Sequence, residues 1–327
     1  MSVDNADGNG PESRRHPRFY FKDGNTIFML KSADHPDGIL YRLHSGLLAH
    51  RATFFASLFA LPRHMGCAQE ILSEGTTDDN PIELPYGLVM VDFDHLLTYL
   101  FTGPSMYPNT EAFLVSVMKL SAMFEIADGM HYTIREFTLR GDGVHPALQF
   151  ELARCFGIDD WLEPAFRRLM KMSIIDLDSS HVAQIGHSGY YWLTRSKTQI
   201  QELRTKIAFH VPPIVNSVDC DTPGTCGVAW TREWEERVRQ LIHHPSQPIS
   251  CLDLLDQLRN THIPGLCDAC QDLTVTWLWG AQSFTREERL VDEAVEALKL
   301  LQAEEPLRAA LRASVEALRK SVGLKTA

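Results

Sequence analysis

Four of the seven cysteines fall in two close pairs, Cys220-Asp-Thr-Pro-Gly-Thr-Cys226 and Cys267-Asp-Ala-Cys270. A Cys-x2-Cys pair on a turn lets two thiolates converge on one ion, which makes 267–270 a half-site for zinc. The x5 pair at 220–226 is a looser half-site on a second turn. The stretch between them is long for a zinc finger and ordinary for a structural staple. His243, His244 and His262 lie near enough in sequence to be alternative ligands. The expectation is a structural zinc ion with all four positions filled. The alternative is four reduced, unliganded thiols in loops. Cys67, Cys155 and Cys251 read as apolar fillers.

Catalytic patterns are weaker. Gly186-His187-Ser188-Gly189-Tyr190 resembles a nucleophile elbow, but Gly-x-Ser-x-Gly needs glycine at 190 and a strand before it, and 180–185 reads as helix. The 14 histidines are scattered, with neither a His-Glu-x-x-His pair nor a phosphate loop. The expectation is therefore a protein that is not an enzyme, with a hydrolase using Ser188 as the outlying alternative. A formal net charge of −11 argues against nucleic-acid binding except through a segregated basic patch. No apolar run approaches membrane-spanning length. The first residues are polar, without the apolar core of an export signal, so 1–17 reads as a disordered tail. Cysteines in odd number and no export signal suit reduced thiols or a metal inside the cell, in nucleus or cytoplasm.

The elements that must position these residues start near Arg18. Phe19-Tyr20-Phe21 leads to a turn at Asp23-Gly24-Asn25, then a strand at Thr26–Leu30. A second turn at Asp34–Gly38 makes a hairpin with Ile39–Leu43. After His44 the apolar period changes from two to three and four. Leu47, Leu48, Phe54, Phe55, Leu58 and Phe59 form a wide helical stripe, the centre of a core or of a core plus a partner surface. Pro81-Ile82-Glu83-Leu84-Pro85 suits an edge strand. Helices are expected over 91–102, over one or two segments of 173–209, from Trp230 to Ile242, around Leu252, Leu255 and Leu258, and over 284–303 and 307–322. Leu307, Leu311, Val315, Leu318 and Val322 form a narrow stripe on the last. A weak repeat relates Leu120–Asp128 to Leu152–Asp160, each the end of a helix, a turn, and an Asp placed to cap the next helix.

The run His44, Leu47-Leu48, Phe54-Phe55, Leu58-Phe59, together with Phe101-Thr102-Gly103, resembles the BTB (POZ) domain of the type abundant in fungi. The chain departs from it at Ala52, where that family usually has serine. The resemblance implies an α+β fold for 18–140, a small sheet flanked by helices. An all-helical C-terminal domain follows, with the cysteine cluster in 141–280 and terminal helices in 281–327. It implies a non-catalytic protein-interaction module that homodimerises through its first strand and helix. Leu47, Leu48, Phe54, Phe55 and Phe59 would then meet a partner. Leu72-Ser73-Glu74 stands where the family carries a hydrophobic-x-Glu motif for a cullin scaffold, so Leu72 and Glu74 are the candidate contacts of a ubiquitin-ligase substrate adaptor. A transcription or chromatin regulator acting through protein partners is the alternative.

Overall fold

The computed structural model describes residues 14–32, 35–61, 74–103, 110–244 and 248–304. The fold is α+β, in two compact units that meet in sequence between Val144 and His145.

The first unit holds four strands, β1 (Arg15–Tyr20), β2 (Thr26–Leu30), β3 (Ile39–Leu43) and β4 (Ile82–Glu83), in the order β1-β3-β2-β4. The hairpin expected between β2 and β3 is present, antiparallel, with Thr26 opposite Leu43 and Leu30 opposite Ile39. Gly38 closes it at φ +80°, where a Cβ would lie 2.6 Å from the Met29 side chain. β4 is an edge strand, parallel to β2 and flanked by prolines, as its composition suggested.

The sheet begins at Arg15, not Arg18, which corrects the extent of the expected disordered tail. His16 is the reason. Its ring stacks between Phe19 and Tyr41, at 5.2 and 4.7 Å between centroids. Its Nδ1 accepts the Phe19 N–H at 2.9 Å, and its Nε2 faces an Asp94 carboxylate oxygen at 3.2 Å. Pro17 is tolerated because β1 is the other edge of the sheet.

After His44 the single helical region expected is two helices, α1 (Ser45–Arg51) and α2 (Thr53–Phe59). Ala52 breaks them with an extended backbone, φ −138° and ψ 119°. The break turns Phe54 and Phe55 inward. Phe55 stacks on Phe124 at 4.9 Å and meets Phe28 edge-on at 5.8 Å. Leu48, Phe54 and Phe55 are thus core residues, at most 6% exposed. The partner-facing role expected of these three is corrected accordingly, because their apolar area is consumed by their own unit. Leu47 and Phe59 stay half-buried. Among the described residues the unit continues with α3 (Met90–Thr102), α4 (Glu111–Met123) and α5 (Ala127–Arg140).

The second unit is helical: α6 (Pro146–Phe156), α7 (Asp159–Lys171), α8 (Ser179–Phe209), α9 (Pro223–Glu233), a π-helical turn at Trp234–Val238, α10 (Arg239–Ile242), α11 (Cys251–Asn260), α12 (Asp268–Gly280) and α13 (Gln282–Glu304). The sequence repeat is visible as two like turns. The Ile126 N–H reaches the Ser121 carbonyl at 2.8 Å, and the Ile158 N–H reaches that of Ala153 at 3.0 Å. Each turn passes through a left-handed residue, Glu125 or Gly157. The aspartates do not cap, contrary to expectation. Ile126 and Ile158 occupy the cap positions, and Asp128, Asp159 and Asp160 sit in the first helical turn, where they face the positive end of the helix dipole.

The boundaries expected at 140 and 280 also move. α13 packs on α7, α8, α11 and α12 and belongs to the second unit instead of forming a separate C-terminal piece. Its Phe284, Val291, Ala294, Val295 and Leu298 are buried. The helix expected over 307–322 lies outside the described residues.

Within α8, Gly186 adopts φ +71° and ψ 169°, so the helix is two segments meeting at a kink. Only glycine occupies that backbone region readily, and a Cβ here would lie 2.4 Å from the Arg154 guanidinium. Gly186→Ala is expected to destabilise the protein by about 1–3 kcal/mol, read as a lower urea midpoint with unchanged slope. An unchanged midpoint would show that the kink relaxes freely.

His145 opens the second unit. Its Nδ1 accepts the Ala147 N–H at 3.2 Å and so caps α6, and its ring stacks on His181 at 3.8 Å. Burial, then the proximity of His181 and Arg168, pulls its pKa below the ordinary histidine value against the opposing pull of Asp178. The unfolded chain therefore takes up this proton more readily than the folded one. Stability should fall as pH drops below roughly 6.5, the unfolded value. His145→Asn keeps a capping side chain that does not titrate. Thermal melts from pH 7.5 to 5 should show a shallower loss for this variant than for the natural chain. Parallel curves would remove His145 from the account.

Candidate metal centre

The four cysteines come together. Their sulfurs all lie within 4.8 Å of one another, with Cys226 and Cys270 buried and Cys220 and Cys267 half-buried. Cys220 Sγ is 3.7 Å from Cys226 Sγ and 3.8 Å from Cys267 Sγ. A zinc ion with Zn–S bonds of about 2.3 Å spaces tetrahedral sulfurs by roughly 3.8 Å. Such a set can hold a metal ion. His243, His244 and His262 are not part of it. His262 is exposed, 4.0 Å from Asp268, and His243 packs against Phe209.

The local structure differs from the two turns expected, and the difference matters chemically. Pro223 occupies the first turn of α9, where its missing N–H costs nothing, so the helix starts before Cys226. Cys267 is the N-cap of α12, with Cys270 in the first turn. Two helices of 11 and 13 residues thus direct their positive ends at the cluster, which favours thiolate over thiol.

Two of the sulfurs, those of Cys270 and Cys226, accept backbone N–H groups. Ser217 donates to Cys270 at 3.2 Å and Cys267 to Cys226 at 3.5 Å. The backbone N–H groups of Thr222 and Cys270 pull downward on the Cys220 and Cys267 thiols. Backbone N–H groups aimed at the sulfurs belong to the outer shell that a set of thiolate ligands requires. Without an ion the thiols share protons unequally. The N–H of Cys270 holds Cys267 below the ordinary thiol value, while burial pushes Cys270 up to about 12. At Cys220 the Thr222 N–H pulls downward, but burial and the thiols of Cys226 and Cys267 outweigh it and raise the value. A divalent cation would deprotonate the whole set.

The centre sits on a core of Cys226, Trp230, Trp234, Leu258, Ile263, Leu266 and Cys270. The indole N–H groups fix the chain that leads into it, Trp230 to the Pro212 carbonyl at 2.9 Å and Trp234 to that of Ile207 at 3.0 Å. Asn216 lies beside Cys270, with Oδ1 3.8 Å from the sulfur. The Asn216-Ser217 pair was not anticipated, although a short polar run just before the first cysteine is a readable signal of an N–H-donating loop. The other cysteines keep to packing. Cys251 is buried at the start of α11, its thiol raised by that burial and by Glu287, and Cys155 is half-buried.

Ser188 lies just beyond the Gly186 kink, inside α8 and without a preceding strand. A second Ser/His/Asp group occurs at Ser116, whose Oγ donates to an Asp92 carboxylate at 2.5 Å and lies 2.9 Å from His95 Nδ1. Its order is wrong for a catalytic triad: the serine bridges the other two, whereas catalysis needs the histidine in the middle. Ser116 is also 3% exposed.

Of the partner-binding candidates, Leu72 lies outside the described residues and Glu74 is exposed. Among the described residues no helix is long and apolar enough to cross a membrane. Compared with family models, curated proteins and solved structures, the chain matches none.

Proposed function

We propose that this chain is a non-catalytic protein-interaction adaptor whose helical unit is stapled by one structural zinc ion. The observation that carries the staple is the closed set of four sulfurs, all within 4.8 Å of one another. Four cysteine ligands fill a tetrahedral zinc and leave no position for water or substrate, which favours a structural ion. Joining 220–226 to 267–270, the ion would fix α9 against α12 and shape the surface that a client meets.

The interaction role rests on the sequence resemblance to BTB domains and on one surface feature. Tyr86, Val89 and Val91 expose 88%, 55% and 55% of their area within six residues, a pattern that marks partner contacts. In this reading the first unit mediates homodimerisation, with Leu47 and Phe59 on its surface. The sharper form is a ubiquitin-ligase substrate adaptor in which Glu74, exposed beside β4, contacts a cullin scaffold.

The test uses the purified full chain. Elemental analysis should return one zinc per chain, light scattering a dimer, and calorimetry a cullin affinity that falls roughly tenfold for Glu74→Ala, about 1.4 kcal/mol. A metal-free chain sinks the staple. A strict monomer that captures no partner sinks the interaction reading, and absence of any cullin binding removes the ligase form alone.

A further inference from the structure

The two halves of the centre differ in a way that a structural staple does not need. Cys226 and Cys270 are buried and lie inside helices α9 and α12. Cys220 and Cys267 are half-buried and lie outside any helix, the first in coil and the second at a cap position. One accessible, movable sulfur therefore comes from each half, and these two are 3.8 Å apart. Cys226 is equally near to Cys220, but it is shielded from solvent and held by its helix. Accessibility and freedom to move, not distance, select the pair.

We infer that the centre is a thiol redox switch in which oxidation joins Cys220 to Cys267, releases the metal, and leaves a covalent link between the same two segments. The inference rests on the zinc reading above. The oxidant is a peroxide. One of these half-buried thiolate sulfurs attacks a peroxide oxygen, the O–O bond breaks, and the sulfur becomes a sulfenic acid while hydroxide leaves and takes a proton. The second thiolate attacks that sulfur, forms the S–S bond, and expels a second hydroxide, which is also protonated. Two thiolates, one hydrogen peroxide and two protons give one disulfide and two waters. Zinc departs because two of its four ligands are gone. The sulfurs need only close from 3.8 Å to about 2 Å.

The consequence is specific. A disulfide within one half, Cys220 to Cys226, would leave the two segments free of each other. A disulfide between halves closes the same loop that the ion closed, so helical structure outlives the metal. The switch exchanges a crosslink reversible by metal exchange for one reversible by thiols.

The test treats the zinc-loaded full chain carrying Cys67→Ser and Cys155→Ser with hydrogen peroxide. It follows zinc release with a coloured chelator, free thiols, far-ultraviolet circular dichroism and the disulfide peptide map. The expected result is two thiols lost per zinc released, one Cys220–Cys267 peptide, and helicity kept after oxidation but lost when reductant and chelator are added together. A map dominated by Cys220–Cys226, or zinc retained with every sulfur intact at peroxide excess, overturns the switch while leaving the staple standing. A chain that purifies without zinc refutes the staple, and the same map on the bare thiols then decides the switch by itself.

Discussion

Cys226→Ser should abolish the ordered structure of the region from Val211 to Gly280 and not merely loosen it. Structural zinc sites contribute about 10–16 kcal/mol of apparent binding free energy at neutral pH, while a whole domain has a net stability of roughly 5–15 kcal/mol. Loss of the proposed ion would therefore remove an amount comparable to everything that holds the second unit together. The region also lacks a substitute. The 211–222 segment is coil, held by the Trp230 indole N–H on the Pro212 carbonyl, by Thr274 Oγ1 accepting the Val215 N–H at 3.0 Å, and by the sulfurs themselves. The measurement is amide hydrogen exchange on the natural chain, on Cys226→Ser, and on the natural chain treated with a zinc chelator. Protection in α9, α11 and α12 should collapse in the last two, whereas β2, β3 and α3 of the first unit keep theirs. Cys155→Ser, half-buried and outside the centre, is the control and should change little. If Cys226→Ser and chelation both leave α9 and α12 protected, hydrophobic packing alone holds the unit and the staple is unnecessary.

The centre was readable because ligand spacing is local, and its surroundings were less so because helix starts are not. Cys-x2-Cys keeps its meaning whether the backbone is a turn or a cap. Asp219–Gly227 reads as a turn-rich loop, yet Pro223 is the first residue of α9. α12 was not anticipated at all. Its Thr274-Val275-Thr276-Trp277 run is rich in β-formers, and what makes it helical is burial of Gln271, Thr274, Val275 and Leu278 at helical spacing. Thr274 Oγ1 donates to the Cys270 carbonyl at 2.7 Å, a local bond that a helix offers its threonines. In the first unit the hairpin and the edge strand were legible from turn residues and prolines. The break at Ala52 was not, since it answers to a tertiary demand: the Thr53 N–H reaches the Glu125 carbonyl at 3.4 Å, and two phenylalanines turn into the core.

The most consequential residue outside the centre left a clue of a subtler kind. Phe284, Val291, Ala294 and Leu298 mark the buried stripe of α13, and Glu287 falls in phase with them where an apolar residue belongs. A carboxylate in that slot must be paired. Glu287 is 8% exposed, accepts a charge-assisted bond from Arg204 Nη2 on α8, and accepts the Cys251 N–H at 3.0 Å at the start of α11. One side chain thereby ties three helices and neutralises a buried guanidinium. Lys197, a second cation on α8, donates to the Met170 and Met172 carbonyls at 2.5 and 2.7 Å, and burial, then Arg204, lowers its pKa to about 8. Glu287→Ala would leave Arg204 buried without its counter-charge, near another cation. Breaking a buried pair from one side costs about 3–5 kcal/mol, and for a unit of this size each kcal/mol is worth roughly 2–4 °C of melting temperature. The expected fall is about 6–20 °C. Glu287→Gln keeps an acceptor for the Cys251 N–H and loses the charge, so it should land between. Replacing both partners, Arg204→Met with Glu287→Leu, removes the stranded charge and should recover most of the loss, so the two changes are strongly non-additive. Additive melting shifts, or a shift for Glu287→Ala below about 2 °C, would mean that α8, α11 and α13 are held by their apolar contacts and that the carboxylate only fills space.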